Sequence, residues 1–129
     1  MKLSVCKEFK FSYGHFLPGH PTCQNQHGHN ARMLVKVSGK IGDHGMIIDF
    51  AHLKEIVHQE VLCTVDHNNL NDIDEIKKPP TVENLCEFAF EKIDNRLQEL
   101  NKTYQRYNPL VLEEITIYET DGAFAQVVR

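Results

Sequence analysis

A chain of 129 residues carries 14 Lys and Arg against 18 Asp and Glu, a formal net charge of −4. That length fits one domain able to bury a core without cross-links, and 41% hydrophobic with 25% charged residues excludes a disordered chain. The acidic balance excludes a nucleic-acid binder working through a basic excess, and no apolar run approaches the ~18 residues that would cross a membrane.

The opening Met1-Lys2-Leu3-Ser4-Val5-Cys6-Lys7-Glu8 turns charged before any apolar signal core forms. A reduced, cytoplasmic protein is therefore expected. In that setting Cys6, Cys63 and Cys86 are expected as small buried apolar residues. The alternation of Leu3, Val5, Phe9 and Phe11 predicts a strand over 2–12. Pro18, Gly19, Pro21, Asn25 and Gly28 mark a loop over 17–28. Met33, Val35 and Val37 place a second strand at 29–38, and glycines at 39, 42 and 45 punctuate the turn after it.

Asp49 is placed to cap a helix over about 50–62, whose Leu53, Ile56, Val57 and Val61 follow a helical period. Residues 64–80 read as polar and irregular. Thr81 is placed to cap a second helix reaching about residue 100, with Leu85, Phe88, Ala89, Ile93, Leu97 and Leu100 on one stripe. Strands come next at 111–118 and 123–128. The order β-β-α-α-β-β predicts an α+β domain: a four-stranded antiparallel sheet with two helices on one face. Two open edges and an uncovered face predict a symmetric oligomer.

The distinctive feature is a histidine cluster among eight histidines. In extended chain, His27 and His29 point to one face, and the hairpin brings His15 beside them. Three imidazoles with an open fourth position form the ligand set of a catalytic zinc site. His20 competes as third ligand from the loop, while His44, His52 and His58 read as solvated or capping residues. Gly28 clears space between the paired histidines. Cys23 has three open roles: a fourth ligand closing the site, a proton acceptor beside it, or an inert loop thiol. Asp66-His67 is either an Asp/Asn-rich turn or a carboxylate fixing an imidazole tautomer. Glu119 is in phase with Ile115 and Ile117, so it either meets a ligand with paired N–H donors or tips into water at the strand end.

Five segments in order resemble the 6-carboxytetrahydropterin synthases of the 6-pyruvoyl-tetrahydropterin synthase superfamily. They are Cys23-Gln24-Asn25-Gln26-His27-Gly28-His29, Gly45-Met46-Ile47-Ile48-Asp49-Phe50, Asp66-His67-Asn68-Asn69-Leu70-Asn71, Pro80-Thr81-Val82-Glu83-Asn84 and Glu119-Thr120. The resemblance implies a tunnelling fold over 1–129, whose sheets join into a barrel within a homohexamer, a dimer of trimers with sites at subunit interfaces. It implies Zn2+ on His15, His27 and His29, Cys23 as general base, and Asp66 with His67 as a second acid/base pair. It implies a pterin substrate contacted by Glu119 and Thr81. The three-residue gap between Cys23 and His27 resembles the carboxytetrahydropterin type, which serves queuosine biosynthesis, rather than the pyruvoyl type. Tyr13 departs from the small residues the family often carries before the first histidine. It either narrows the pocket or points to the alternate face. A zinc-stabilised interaction module and a metal-free Cys–His hydrolase using Cys23 and His67 are the readings from other classes.

Overall fold

A computed structural model describes all 129 residues. Two long strands open the chain, β1 (Ser4–His15) and β2 (His27–Ser38), paired antiparallel from Ser4 opposite Ser38 to His15 opposite His27. Their odd-numbered residues Phe9, Phe11, Tyr13, Ala31, Met33, Val35 and Val37 are buried on one face. The even-numbered Cys6, Glu8 and Lys10 lie on the opposite, exposed face.

Gly45 takes φ 79°, a left-handed turn that suits glycine, and lets Ile47 and Ile48 turn back into the core while Met46 stays exposed. Asp49 then caps α1 (Phe50–Val57), its carboxylate accepting from the Ala51 N–H at 2.8 Å. The Gly-Met-Ile-Ile-Asp-Phe segment is thus a folding device. Asp49→Ala is expected to cost about 1 kcal/mol, read as a lower urea midpoint with an unchanged slope.

The first helix continues through a π-helical turn, His58–Leu62, into the short α2 (Cys63–Val65). This extra winding corrects two expectations: the helix reaches past residue 62, and Cys63 is exposed. A π turn shifts the phase of the helical residues after it, so Cys63 leaves the core stripe and its thiol donates to the Gln59 carbonyl at 3.0 Å. Cys6 is also exposed, and only Cys86 fits the buried expectation.

Residues 66–80 hold a two-residue strand, β3 (Asn68–Asn69), and a 3-10 turn, Leu70–Asp72. β3 pairs parallel to β1, Tyr13 with Asn68 and Gly14 with Asn69. It makes a fifth strand where four were expected. Thr81 caps α3 (Val82–Thr103), accepting from the Asn84 N–H at 3.2 Å. The stripe of Leu85, Phe88, Ala89, Ile93, Leu97 and Leu100 is buried and packs across β4 (Val111–Thr120) and β5 (Ala123–Val128). The sheet order is β3-β1-β2-β4-β5, with helices on one face. The chain is an α+β domain whose two sheet edges, β3 and β5, stay open.

Candidate metal centre

Register builds the site. In the β1–β2 hairpin His15 lies opposite His27, and Tyr13 opposite His29. Residues two apart share a face, so all four side chains project together at the rim of the sheet. Tyr13 therefore stands beside the histidines, not on the alternate face, and it is 3% exposed. β4 adds Glu119 from the neighbouring strand, at the point where its register against β5 shifts between Tyr118 and Thr120. Such an irregularity re-aims a side chain at a sheet rim.

One ring nitrogen from each of His15, His27 and His29 lies within 4.8 Å of the others, and Cys23 and His20 do not join the group. The outer nitrogens of two rings are fixed by carbonyls. His15 Nδ1 donates to the Pro80 carbonyl at 2.8 Å, and His27 Nδ1 donates to the Asn25 carbonyl at 2.8 Å. Because a carbonyl only accepts, both rings carry their hydrogen on Nδ1 and present bare Nε2 lone pairs. Hydrogen bonds of this kind orient ligating histidines toward a metal. His15 Nε2 and His29 Nε2 stand 3.2 Å apart. Two nitrogens on one tetrahedral zinc, each at ~2.0–2.1 Å, sit roughly 3.3–3.4 Å apart. Burial holds the His29 pKa below the usual imidazole range, with His15 and His27 reinforcing it against the opposing pull of Glu119. A neutral ring keeps its lone pair available, so the donor set fits a zinc ion.

Glu119 Oε1 lies 3.4 Å from His15 Nε2 and 3.3 Å from His29 Nε2. The Tyr13 hydroxyl donates to the same oxygen at 3.0 Å. Burial, and then the neighbouring Glu119 charge, push the Tyr13 phenol well above its ordinary range, so it stays a hydrogen-bond donor. The carboxylate thus faces His15 and His29 and not open water.

The segments around the histidines hold them in place. Asn71 clamps Phe16, the residue after His15, accepting from its N–H at 2.9 Å and donating to its carbonyl at 3.0 Å. Asn84 donates to the Pro79 carbonyl at 2.8 Å, next to the Pro80 carbonyl that receives His15. Asn71 of the Asp-His-Asn-Asn-Leu-Asn segment and Asn84 of the Pro-Thr-Val-Glu-Asn segment are therefore scaffold. The Thr81 hydroxyl caps α3, and only its O–H remains to donate.

Asp66 Oδ1 accepts from the Ser12 N–H at 2.9 Å and lies 2.9 Å from His67 Nδ1. The two side chains are therefore brought together, beyond a plain polar turn. His67 sits at φ 61°, uncommon for a non-glycine residue, and its own N–H donates to the Ser12 carbonyl at 2.6 Å. Its side chain is 81% exposed. An open groove of about 470 Å³ runs from His27 and His29 past Gly14 and Gly28 to His67. Gly14 matters there, since a Cβ on it would come within 2.9 Å of the Gln26 side-chain nitrogen.

Cys23 lies half-buried in the loop between the strands. His20 organises that loop, its Nδ1 accepting from the Thr22 N–H at 3.2 Å and the Cys23 N–H at 3.0 Å. His20 is thus a loop tie and not the third ligand. The Cys23 thiol meets only the Thr22 hydroxyl, at 3.7 Å, and within one chain it has no contact with His67. Of the histidines given no role, His44 meets Arg106 at 2.9 Å and His52 meets the Tyr107 hydroxyl at 3.0 Å, both away from the cluster.

Fold and site together define an α+β chain with a three-imidazole centre at a sheet rim and an adjacent Asp–His pair beside the next strand edge. The family model described as 6-pyruvoyl tetrahydropterin synthase matches residues 4–129, and the chain belongs to that family of pterin-synthase enzymes. A putative 6-carboxy-5,6,7,8-tetrahydropterin synthase of Archaeoglobus fulgidus is 45% identical over 83 residues, 64% of this chain and 69% of that protein. The 6-carboxy-5,6,7,8-tetrahydropterin synthase of Haemophilus influenzae is 41% identical over 73 residues, covering 53% of this chain and 52% of that protein. The 6-pyruvoyl tetrahydrobiopterin synthase of Dictyostelium discoideum is 34% identical over 105 residues, 79% of this chain and 70% of that protein. Among solved structures, Caenorhabditis elegans 6-pyruvoyl tetrahydropterin synthase superposes with a TM-score of 0.81 at 29% identity, over 100% of this chain and 96% of that one. The fold is accordingly the tunnelling fold. No helix is long and apolar enough to cross a membrane.

Proposed function

We propose that the protein is a zinc-dependent 6-carboxytetrahydropterin synthase. It would convert 7,8-dihydroneopterin triphosphate and water to 6-carboxy-5,6,7,8-tetrahydropterin, acetaldehyde and triphosphate, in 7-deazaguanine (queuosine) biosynthesis. The observation that carries this reading is the open three-histidine centre, two of whose rings are locked with Nε2 free, with Cys23 close in sequence but outside the ligand group. A closed structural site would need Cys23 as fourth ligand, which argues against a mere interaction module. The metal-free Cys–His hydrolase finds no support in one chain, where Cys23 and His67 do not meet.

His15, His27 and His29 hold the ion, which when bound supplies Lewis acidity to side-chain oxygens and acidifies adjacent C–H bonds. Cys23 removes a proton from the substrate side chain as thiolate. His67, beside the Asp66 carboxylate, exchanges protons at a second carbon. Glu119 and the free Thr81 hydroxyl hydrogen bind the pterin, Glu119 through the oxygen Tyr13 leaves open. The exposure of His67 beside the β3 edge supports a site completed by a neighbouring subunit. Phe124 and Val128 are exposed on the opposite edge strand. Both features support the homohexamer, with sheets closing into a barrel.

The sister reading, 6-pyruvoyl tetrahydropterin synthase, is favoured by one specific observation: relatives carry both names. The Cys-x3-His spacing favours the carboxy product. Mass spectrometry of the product formed by the zinc-loaded protein decides. A 6-carboxytetrahydropterin peak with acetaldehyde is expected. A pyruvoyl-tetrahydropterin peak would transfer the protein to the sister activity.

A further inference from the structure

We propose that Tyr13 is a positioning residue that clamps Glu119 at the edge of the metal centre. The clamp rests on the metal reading above.

Tyr13 cannot swing away. Its ring stacks on Phe11 at 5.8 Å, meets His15 edge-on at 5.2 Å and lies tilted against His29 at 5.5 Å. Only its hydroxyl reaches a polar group, and that group is Glu119 Oε1. Glu119 has three polar neighbours: the Tyr13 hydroxyl and the Nε2 atoms of His15 and His29. His15 already donates through Nδ1 to the Pro80 carbonyl, so its Nε2 has no hydrogen to offer Glu119. Once His29 Nε2 is committed to a metal it has none either. In the loaded site the phenol is then the sole hydrogen-bond donor to this carboxylate among these groups. A carboxylate at a strand end, with 22% of its side chain exposed, would otherwise choose among several rotamers. The phenol fixes one oxygen beside the ligands and leaves Oε2, which bonds no other side chain, for an N–H or O–H group of the substrate.

The test is a double-mutant cycle of Tyr13→Phe and Glu119→Gln, read in two ways. Phenylalanine keeps the ring packing and removes only the hydroxyl. The first readout is the visible absorption of the cobalt(II)-substituted protein, which reports coordination geometry without requiring turnover. Tyr13→Phe is expected to bind one cobalt per chain yet shift the bands relative to the wild type. In the Glu119→Gln background the same change is expected to leave them unmoved. The second readout is kcat/KM, expected to fall by ~10–100-fold in Tyr13→Phe, the range typical of groups that support a metal site from outside its ligands, with no further loss when Glu119→Gln is already present. Wild-type bands and rate in Tyr13→Phe, or equal losses in both backgrounds, would overturn the clamp. If the wild type does not act on the pterin at all, the proposed function fails, while the cobalt spectra still decide the role of Tyr13.

Discussion

Cys23→Ala is expected to retain one zinc per chain and to lose turnover by ~100–10,000-fold, the usual worth of a positioned acid/base group. Metal content should hold because the thiol lies outside the three-histidine group. Folding should hold because the thiol meets only the Thr22 hydroxyl, while the loop is tied by backbone bonds, such as Leu17 N–H to the Cys23 carbonyl at 2.7 Å. Elemental analysis and steady-state kinetics on one preparation check both halves. Normal turnover would remove Cys23 from the chemistry. Loss of metal would make it a ligand and return the closed-site reading.

His27→Ala is expected to weaken zinc binding by more than ~100-fold, beyond the ~10–100-fold cost of losing a group that only supports a ligand, and to abolish activity. His27 is the informative ligand to remove. Its ring is half-exposed, and the Asn25 carbonyl it bonds lies in a loop. His15 is 1% exposed and holds Pro80, so its loss would mix metal loss with unfolding. Competition against a chelator of known affinity measures the change, and a matching circular-dichroism spectrum shows the fold retained. Full occupancy at wild-type affinity would contradict the ligand assignment.

Extended-chain alternation put His27 and His29 on one face and an expected hairpin brought His15 beside them; the register of the first hairpin does the same, with both strands running on to include His15 and His27. Both helix starts were legible too, since Asp49 and Thr81 are capping types ahead of periodic apolar runs. The features that escaped depend on long-range contact. β3 is two residues long, and the Ser12 backbone fixes the turn before it from 54 positions away. The Tyr13–Glu119 bond spans 106 positions, and no local pattern signals it. Cys63 escaped because its burial was argued from residue type alone, whereas it follows a π-helical turn and lies exposed. Cys6 was legible and misjudged: it is in phase with Glu8 and Lys10, the outward face of β1. The expected positions of the chemical residues survive because they are set by register. Their partners are set by the fold as a whole.

The central claim is that the three-histidine centre and Cys23 together act on a pterin triphosphate. Its sharpest test is release of acetaldehyde and triphosphate from 7,8-dihydroneopterin triphosphate by metal-stripped protein, before and after adding back zinc. Negligible release is expected from the stripped protein, and both products, with 6-carboxytetrahydropterin, once one zinc per chain is restored. Equal release without metal, or none from the fully loaded protein, would contradict the claim.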